Sequence, residues 1–90
     1  MSEAQLRVDR TRVTWREVDD EVVALDIERS EYLSLNASGS LLWRVLLEGA
    51  TRTGLIELLC GEFDLDEQAA AADVDAFLAT CVGRGLVSGS

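Results

Sequence analysis

The chain has no histidine, no proline and no lysine. Without histidine it lacks the side chain that most often serves as a general base near neutral pH, and also the commonest metal ligand. Without lysine its positive charge rests on eight arginines, against 17 Asp and Glu, for a formal net charge of -9. Nucleic-acid backbones and anionic bilayers both call for clustered positive charge, so no nucleic acid and no membrane is expected as a partner. No apolar run approaches the ~20 residues of a transmembrane span. Met1 to Arg10 holds no apolar stretch of the signal-peptide kind, which makes the cytoplasm the expected location. Cys60 and Cys81 have neither a CxxC spacing nor a histidine beside them. They read as small apolar core residues in a reducing compartment.

What remains is a chain of 90 residues, 48% of them hydrophobic. That is enough for one small domain spanning 1–90, with a thin stability margin, and too little for two cores. Up to Asn36 the apolar spacing has a period near two. Leu6 and Val8 alternate with Arg7 and Asp9, and Val13 and Trp15 with Thr14 and Arg16. Val23, Leu25 and Ile27 alternate with Ala24 and Asp26, and Leu33 and Leu35 with Tyr32 and Ser34. This predicts half-buried strands near 12–18, 21–27 and 31–35 in an antiparallel meander, with 6–9 either a short fourth strand or irregular. Asp19-Asp20 and Glu28-Arg29-Ser30 suit hairpin turns, although neither contains glycine.

After Asn36 the spacing turns helical. Asn36 is a predicted N-cap for a helix running to about Glu48 and stopping at Gly49. Leu41, Leu42, Trp43, Val45, Leu46 and Leu47 leave that helix only a narrow polar stripe through Ser40, Arg44 and Glu48, as expected of a central core helix. Thr51 caps a second helix to about Glu62, with Leu55, Ile56, Leu59 and Phe63 as its buried face. Asp66 caps a third, in which Ala70, Val74, Phe77, Leu78, Cys81 and Val82 keep helical spacing until Gly83 and Gly85. Leu86 and Val87 should return to the core and 88–90 should fray. Strands followed by helices predict an α+β domain, a three-stranded antiparallel sheet followed by three helices in a winged-helix-like arrangement.

Catalytic chemistry is hard to assemble from this sequence. Nucleophiles need a base beside them, and Asp73 and Asp75 point to different sides of a helix. Asp64 and Asp66 begin like a calcium loop, but the sixth position is Ala69 rather than glycine. Gly83-Arg84-Gly85 is a helix ending rather than a phosphate loop. The chain therefore reads as a non-enzyme, with no cofactor and no metal. A winged-helix transcription regulator is the alternative from another class. It is opposed by Glu67, Asp73 and Asp75 on the third helix against Arg84 alone. A binding module is left, whose tools are a sheet edge and an apolar groove. Tyr32-Leu33-Ser34-Leu35 is short, alternating and able to accept an added strand, or else is simply core packing.

An ordered set of segments carries a family resemblance. It comprises Tyr32 to Gly39, Leu42-Trp43, Gly49, Thr51, Leu55 and Leu59, Phe63-Asp64, Asp73-Val74, Phe77-Leu78 and Gly85-Leu86-Val87. This set resembles the PqqD-like recognition elements for ribosomally made, post-translationally modified peptides, and the resemblance runs over about 12–87. The resemblance implies that a precursor's leader segment adds as a strand to Glu31, Tyr32, Leu33, Ser34 and Leu35. It also implies that leader side chains enter a groove toward the third helix, near Ala70, Asp73, Val74, Phe77 and Cys81. A free-standing chain of this size is most similar to the recognition proteins of lasso-peptide clusters. Those work with a transglutaminase-like leader peptidase and a cyclase. The alternative inside the family is the peptide carrier of pyrroloquinoline quinone biosynthesis, which serves a radical enzyme.

Overall fold

The computed structural model describes residues 3–89. The chain runs β1 (Leu6–Val8), β2 (Val13–Val18), β3 (Glu21–Asp26), β4 (Glu31–Ser34), α1 (Ala37–Leu46), α2 (Arg52–Phe63), α3 (Glu67–Gly83) and β5 (Val87–Gly89). The expected α+β order of a sheet and then three helices is present. β2, β3 and β4 form an antiparallel sheet in that order. Val18 pairs with Glu21, so Asp19 and Asp20 alone make the first turn, with φ of 52° and 68°. A two-residue hairpin of this hand matches the twist of the sheet. Aspartate tolerates the left-handed region well enough to replace the usual glycine.

The alternation of β3 is real but its faces are reversed. Val22, Ala24 and Asp26 are buried, while Val23 and Leu25 are half-buried and Ile27 is exposed. The inward set continues through Val13 and Trp15 on β2 and Leu33 on β4, as the cross-strand register requires. The choice of phase is fixed by α1, which lies across this face. Its Trp43 is fully buried and meets Trp15 edge to face at 6.0 Å. Leu42, Leu46, Leu55, Leu59, Val74 and Leu86 complete the centre of the core, each worth about 1.5–3 kcal/mol of burial.

Ser40 was expected on a polar stripe but is fully buried. Its hydroxyl accepts the Val22 N–H at 2.8 Å and donates to the Leu35 carbonyl at 3.3 Å. It thereby stands in for a direct β3–β4 bond at the point where β4 leaves the sheet. Two other expected burials also fail. Phe63 and Val82 are exposed, because α2 ends in the left-handed Asp64 just after Phe63 and Val82 sits on the outer side of α3. Helix starts agree with the sequence. Asn36, Thr51 and Asp66 accept the backbone N–H groups of Gly39, Gly54 and Ala69.

The chain ends are tied rather than frayed as far as Gly89. β5 pairs with β1 in antiparallel register, Leu6 opposite Gly89 and Val8 opposite Val87. The expected fraying of 88–89 is thus corrected, and Ser90 lies outside the described residues. Leu6 also exchanges backbone hydrogen bonds with Ala50. Arg7 and Arg10 donate to the Glu48 and Leu47 carbonyls, satisfying acceptors left free at the end of α1. No helix among the described residues is long and apolar enough to cross a membrane.

Candidate functional site

β4 is an edge strand, and the phase of its hydrogen bonds can be worked out. The Leu35 N–H donates to the Val22 carbonyl at 2.9 Å, so Leu35 belongs to a hydrogen-bonded position. In an antiparallel ladder such positions alternate. Glu31 and Leu33, opposite Asp26 and Ala24, therefore direct their backbone groups toward β3. The N–H and C=O groups of Tyr32 and Ser34 face the open edge. On the far side of the sheet the same alternation turns the backbones of Val13, Trp15 and Glu17 outward from β2, consistent with the Ile27 N–H bonding to the Arg12 carbonyl.

A cleft of about 330 Å³ lies between this open edge and α3. Leu33, Ser34 and Leu35 form its strand wall, and Asn36, Ser38, Gly39 and Leu42 its end wall. Asp73, Ala76, Phe77, Thr80 and Cys81 form the helix wall. The floor is apolar and the rim polar, the usual composition of a recognition groove. Gly39 matters for the shape. A Cβ there would stand 3.2 Å from Asn36 Oδ1, 3.4 Å from Leu35 Cβ and 3.5 Å from Phe77 Cδ1. The missing side chain lets Asn36, Leu35 and Phe77 close around the start of α1, where Gly39 and Phe77 together line the cleft.

The two ends of the cleft differ. At one, Arg84 from the end of α3 reaches Glu31 at 3.5 Å. There Arg29 also joins the buried Asp26 carboxylate to the Arg84 carbonyl, fastening the β3–β4 turn to α3. At the other end stands Asp73. Its neighbour Asp75 points elsewhere and is held by Arg52 in a two-pronged pair at 2.7 and 2.9 Å, which draws its carboxyl below the usual range. The two aspartates thus do not form an acid–base pair. Cys81 closes the floor, fully buried, and that burial pushes its thiol up to about 12. It is a protonated, inert wall residue. Cys60 is half-buried on α2, and both cysteines are free thiols.

The residues singled out from sequence divide by position. Leu33, Ser34, Leu35, Asp73, Phe77 and Cys81 line the cleft. Ala70 and Val74 do not; they are completely buried against the core, where α3 packs on α2. Glu31 sits at the closed end, and Tyr32 turns its ring to the other face of the sheet, 71% exposed. Ala76 and Thr80 are wall residues that the sequence reading passed over. Their signal was available. They fall three and seven residues after Asp73, on one helix face, whereas Ala70 and Val74 belong to the adjacent buried stripe.

A family model described as coenzyme PQQ synthesis protein D (PqqD) matches residues 21–87. The chain belongs to the PqqD family. No curated protein sequence matches it. Two solved structures share the fold. One is described as TbiB1 in complex with the TbiA(beta) leader peptide, at TM-score 0.82 and 28% identity, covering 93% of this chain and 96% of that one. The other is a lasso peptide synthetase B1 complexed with the leader peptide, at TM-score 0.79 and 23% identity, covering 92% and 96%. The family and the fold agree with the resemblance carried by residues 32–87.

Proposed function

We infer that this PqqD-family chain is a non-catalytic recognition module for the leader segment of a ribosomally made precursor peptide. The carrying observation is the juxtaposition of an open edge at Tyr32 and Ser34 with an apolar cleft toward α3. A leader adding as a strand to β4 would satisfy the two outward backbone pairs, and its alternate side chains would enter the cleft. The fold shared with TbiB1, whose structure holds a leader peptide, supports this reading. The module then delivers the bound precursor to a leader peptidase of transglutaminase-like fold, with the cyclase acting afterwards. Tethering raises the local substrate concentration at the enzyme without adding chemistry.

The second reading, a carrier for pyrroloquinoline quinone biosynthesis beside a radical enzyme, is supported by the family description. The fold shared with a lasso peptide synthetase B1 complexed with its leader peptide, over 92% of this chain, supports the lasso-peptide assignment. The test is a titration with the leader and core halves of the precursor encoded beside the gene, measured separately. Saturable 1:1 binding of the leader half alone is expected. Equal binding of both halves, or none of the leader, contradicts the proposal. A neighbouring radical-enzyme gene in place of a peptidase and cyclase would transfer the assignment to the second reading.

A further inference from the structure

The cleft contains one charge among its described lining residues, Asp73, and that charge has no ion-pair or hydrogen-bond partner among the described residues. The arginines are committed elsewhere. Arg12, Arg29, Arg44, Arg52 and Arg84 pair with Glu28, Asp26, Glu17, Asp75 and Glu31. Arg7 and Arg10 bind the end of α1. Arg16 alternates with Trp15 and so lies on the opposite face of the sheet, away from α3. The sequence has no lysine or histidine, so among the described residues no side chain brings a cation to Asp73, and a ligand can supply one.

Spacing adds a second constraint. Asp73 and Phe77 are one helical turn apart, about 6 Å along α3. Alternate residues of a strand, which face the same side, are about 6.6–6.8 Å apart. An added strand whose side chain enters the part of the cleft lined by Gly39 and Phe77 therefore brings its next cleft-facing residue, two positions on, to Asp73. Thr80 and Cys81 lie one turn the other way, toward the end closed by Arg84 and Glu31. They offer no charge to a ligand residue on that side.

We propose that Asp73 selects leaders carrying Lys or Arg two residues from an aromatic or large aliphatic anchor, the anchor seated against Phe77 and the cation against Asp73. This rests on strand addition at β4 and deepens it by naming the ligand's side-chain code. The apolar anchor supplies most of the affinity and the cation a smaller, position-specific part. A chain of net charge -9 also attracts cations generally, so the test has to separate a local preference from a global one.

The experiment is a display selection of random dodecapeptides on the immobilised full chain, on Asp73→Asn, on Asp73→Lys and on Ser34→Pro. Asp73 is exposed on the helix surface, so its variants should fold. The parent is expected to enrich Lys or Arg at a spacing of two from Phe, Tyr, Leu, Ile or Met. Asp73→Asn should lose the preference at that spacing, and Asp73→Lys should exchange it for Asp or Glu while keeping the anchor. Individual Lys peptides should bind the parent roughly two- to fivefold more tightly than their Met counterparts. Cation enrichment that is unchanged in both Asp73 variants, or that lacks the fixed spacing, overturns the proposal and assigns the preference to net charge. Peptides that bind Ser34→Pro as well as the parent overturn strand addition itself. A selection that enriches nothing on the parent counts against both.

Discussion

Ser34→Pro tests strand addition without attacking the sheet. The β3–β4 ladder uses the backbones of Glu31, Leu33 and Leu35, whereas the Ser34 N–H faces the open edge. Proline at an edge N–H is the substitution a sheet accepts most readily, and the residue before it is held in the extended region that Leu33 already occupies. The variant should therefore stay folded. An incoming strand would lose one backbone hydrogen bond and leave its own carbonyl facing the proline ring. A net bond is worth about 0.5–1.5 kcal/mol, and a carbonyl left without a donor about 1–3 kcal/mol. At roughly 1.4 kcal/mol per tenfold, the leader Kd should rise about five- to hundredfold. The assay is a calorimetric or fluorescence titration of the leader segment, with circular dichroism to verify the fold and Ser34→Ala to account for the hydroxyl. Leu33→Pro would be the wrong probe, because its N–H bonds to Ala24 inside the sheet. A folded Ser34→Pro that binds within twofold of the parent would refute strand addition at this edge.

Other outcomes follow from the same geometry. Ser40→Ala should lower unfolding free energy by about 1–3 kcal/mol in a denaturant titration, because the buried Val22 N–H loses its acceptor. Gly39→Ala should lower the melting temperature, because its Cβ would stand 3.2 Å from the Asn36 cap oxygen and 3.4 Å from Leu35 Cβ, so these neighbours would have to shift. In a thiol-reagent assay near pH 8, Cys60 should react in the native protein and Cys81 only on unfolding. The raised thiol of Cys81 also makes stability pH-dependent. Below pH 9 it is protonated folded and unfolded, and its contribution is whole. Between pH 9 and about 12 only the unfolded chain ionises, so stability should fall across that window, and less so in Cys81→Ala.

Helix starts were legible in the sequence because a cap is a local event. Asn36, Thr51 and Asp66 each satisfy an N–H three residues on, which needs no knowledge of the rest of the chain. The phase of β3 was not legible. Val23, Leu25 and Ile27 are more apolar than Val22, Ala24 and Asp26, yet the second set faces inward because the broad Trp43 and Leu42 fill the space above small residues. Ser40 looked like a surface residue for a related reason. Its burial depends on a hydroxyl bridging two strands that are 18 and five residues away in sequence. At the candidate site, Leu33, Ser34, Leu35, Asp73, Phe77 and Cys81, which the resemblance puts beside the groove, line the cleft. The resemblance also puts Ala70 and Val74 near the groove, but they belong to the stripe of α3 that packs on α2, next to the one that faces the cleft.

A leader that pairs with the free edge of β4 forms backbone hydrogen bonds there. Residue-resolved amide exchange, with and without a saturating leader segment, reads those bonds individually. New protection is predicted at the Tyr32 and Ser34 amides. The outward amides of Val13, Trp15 and Glu17 on the opposite edge should stay unchanged. Protection appearing on β2 instead, or saturable binding with no gain at Tyr32 and Ser34, would rule out pairing at β4.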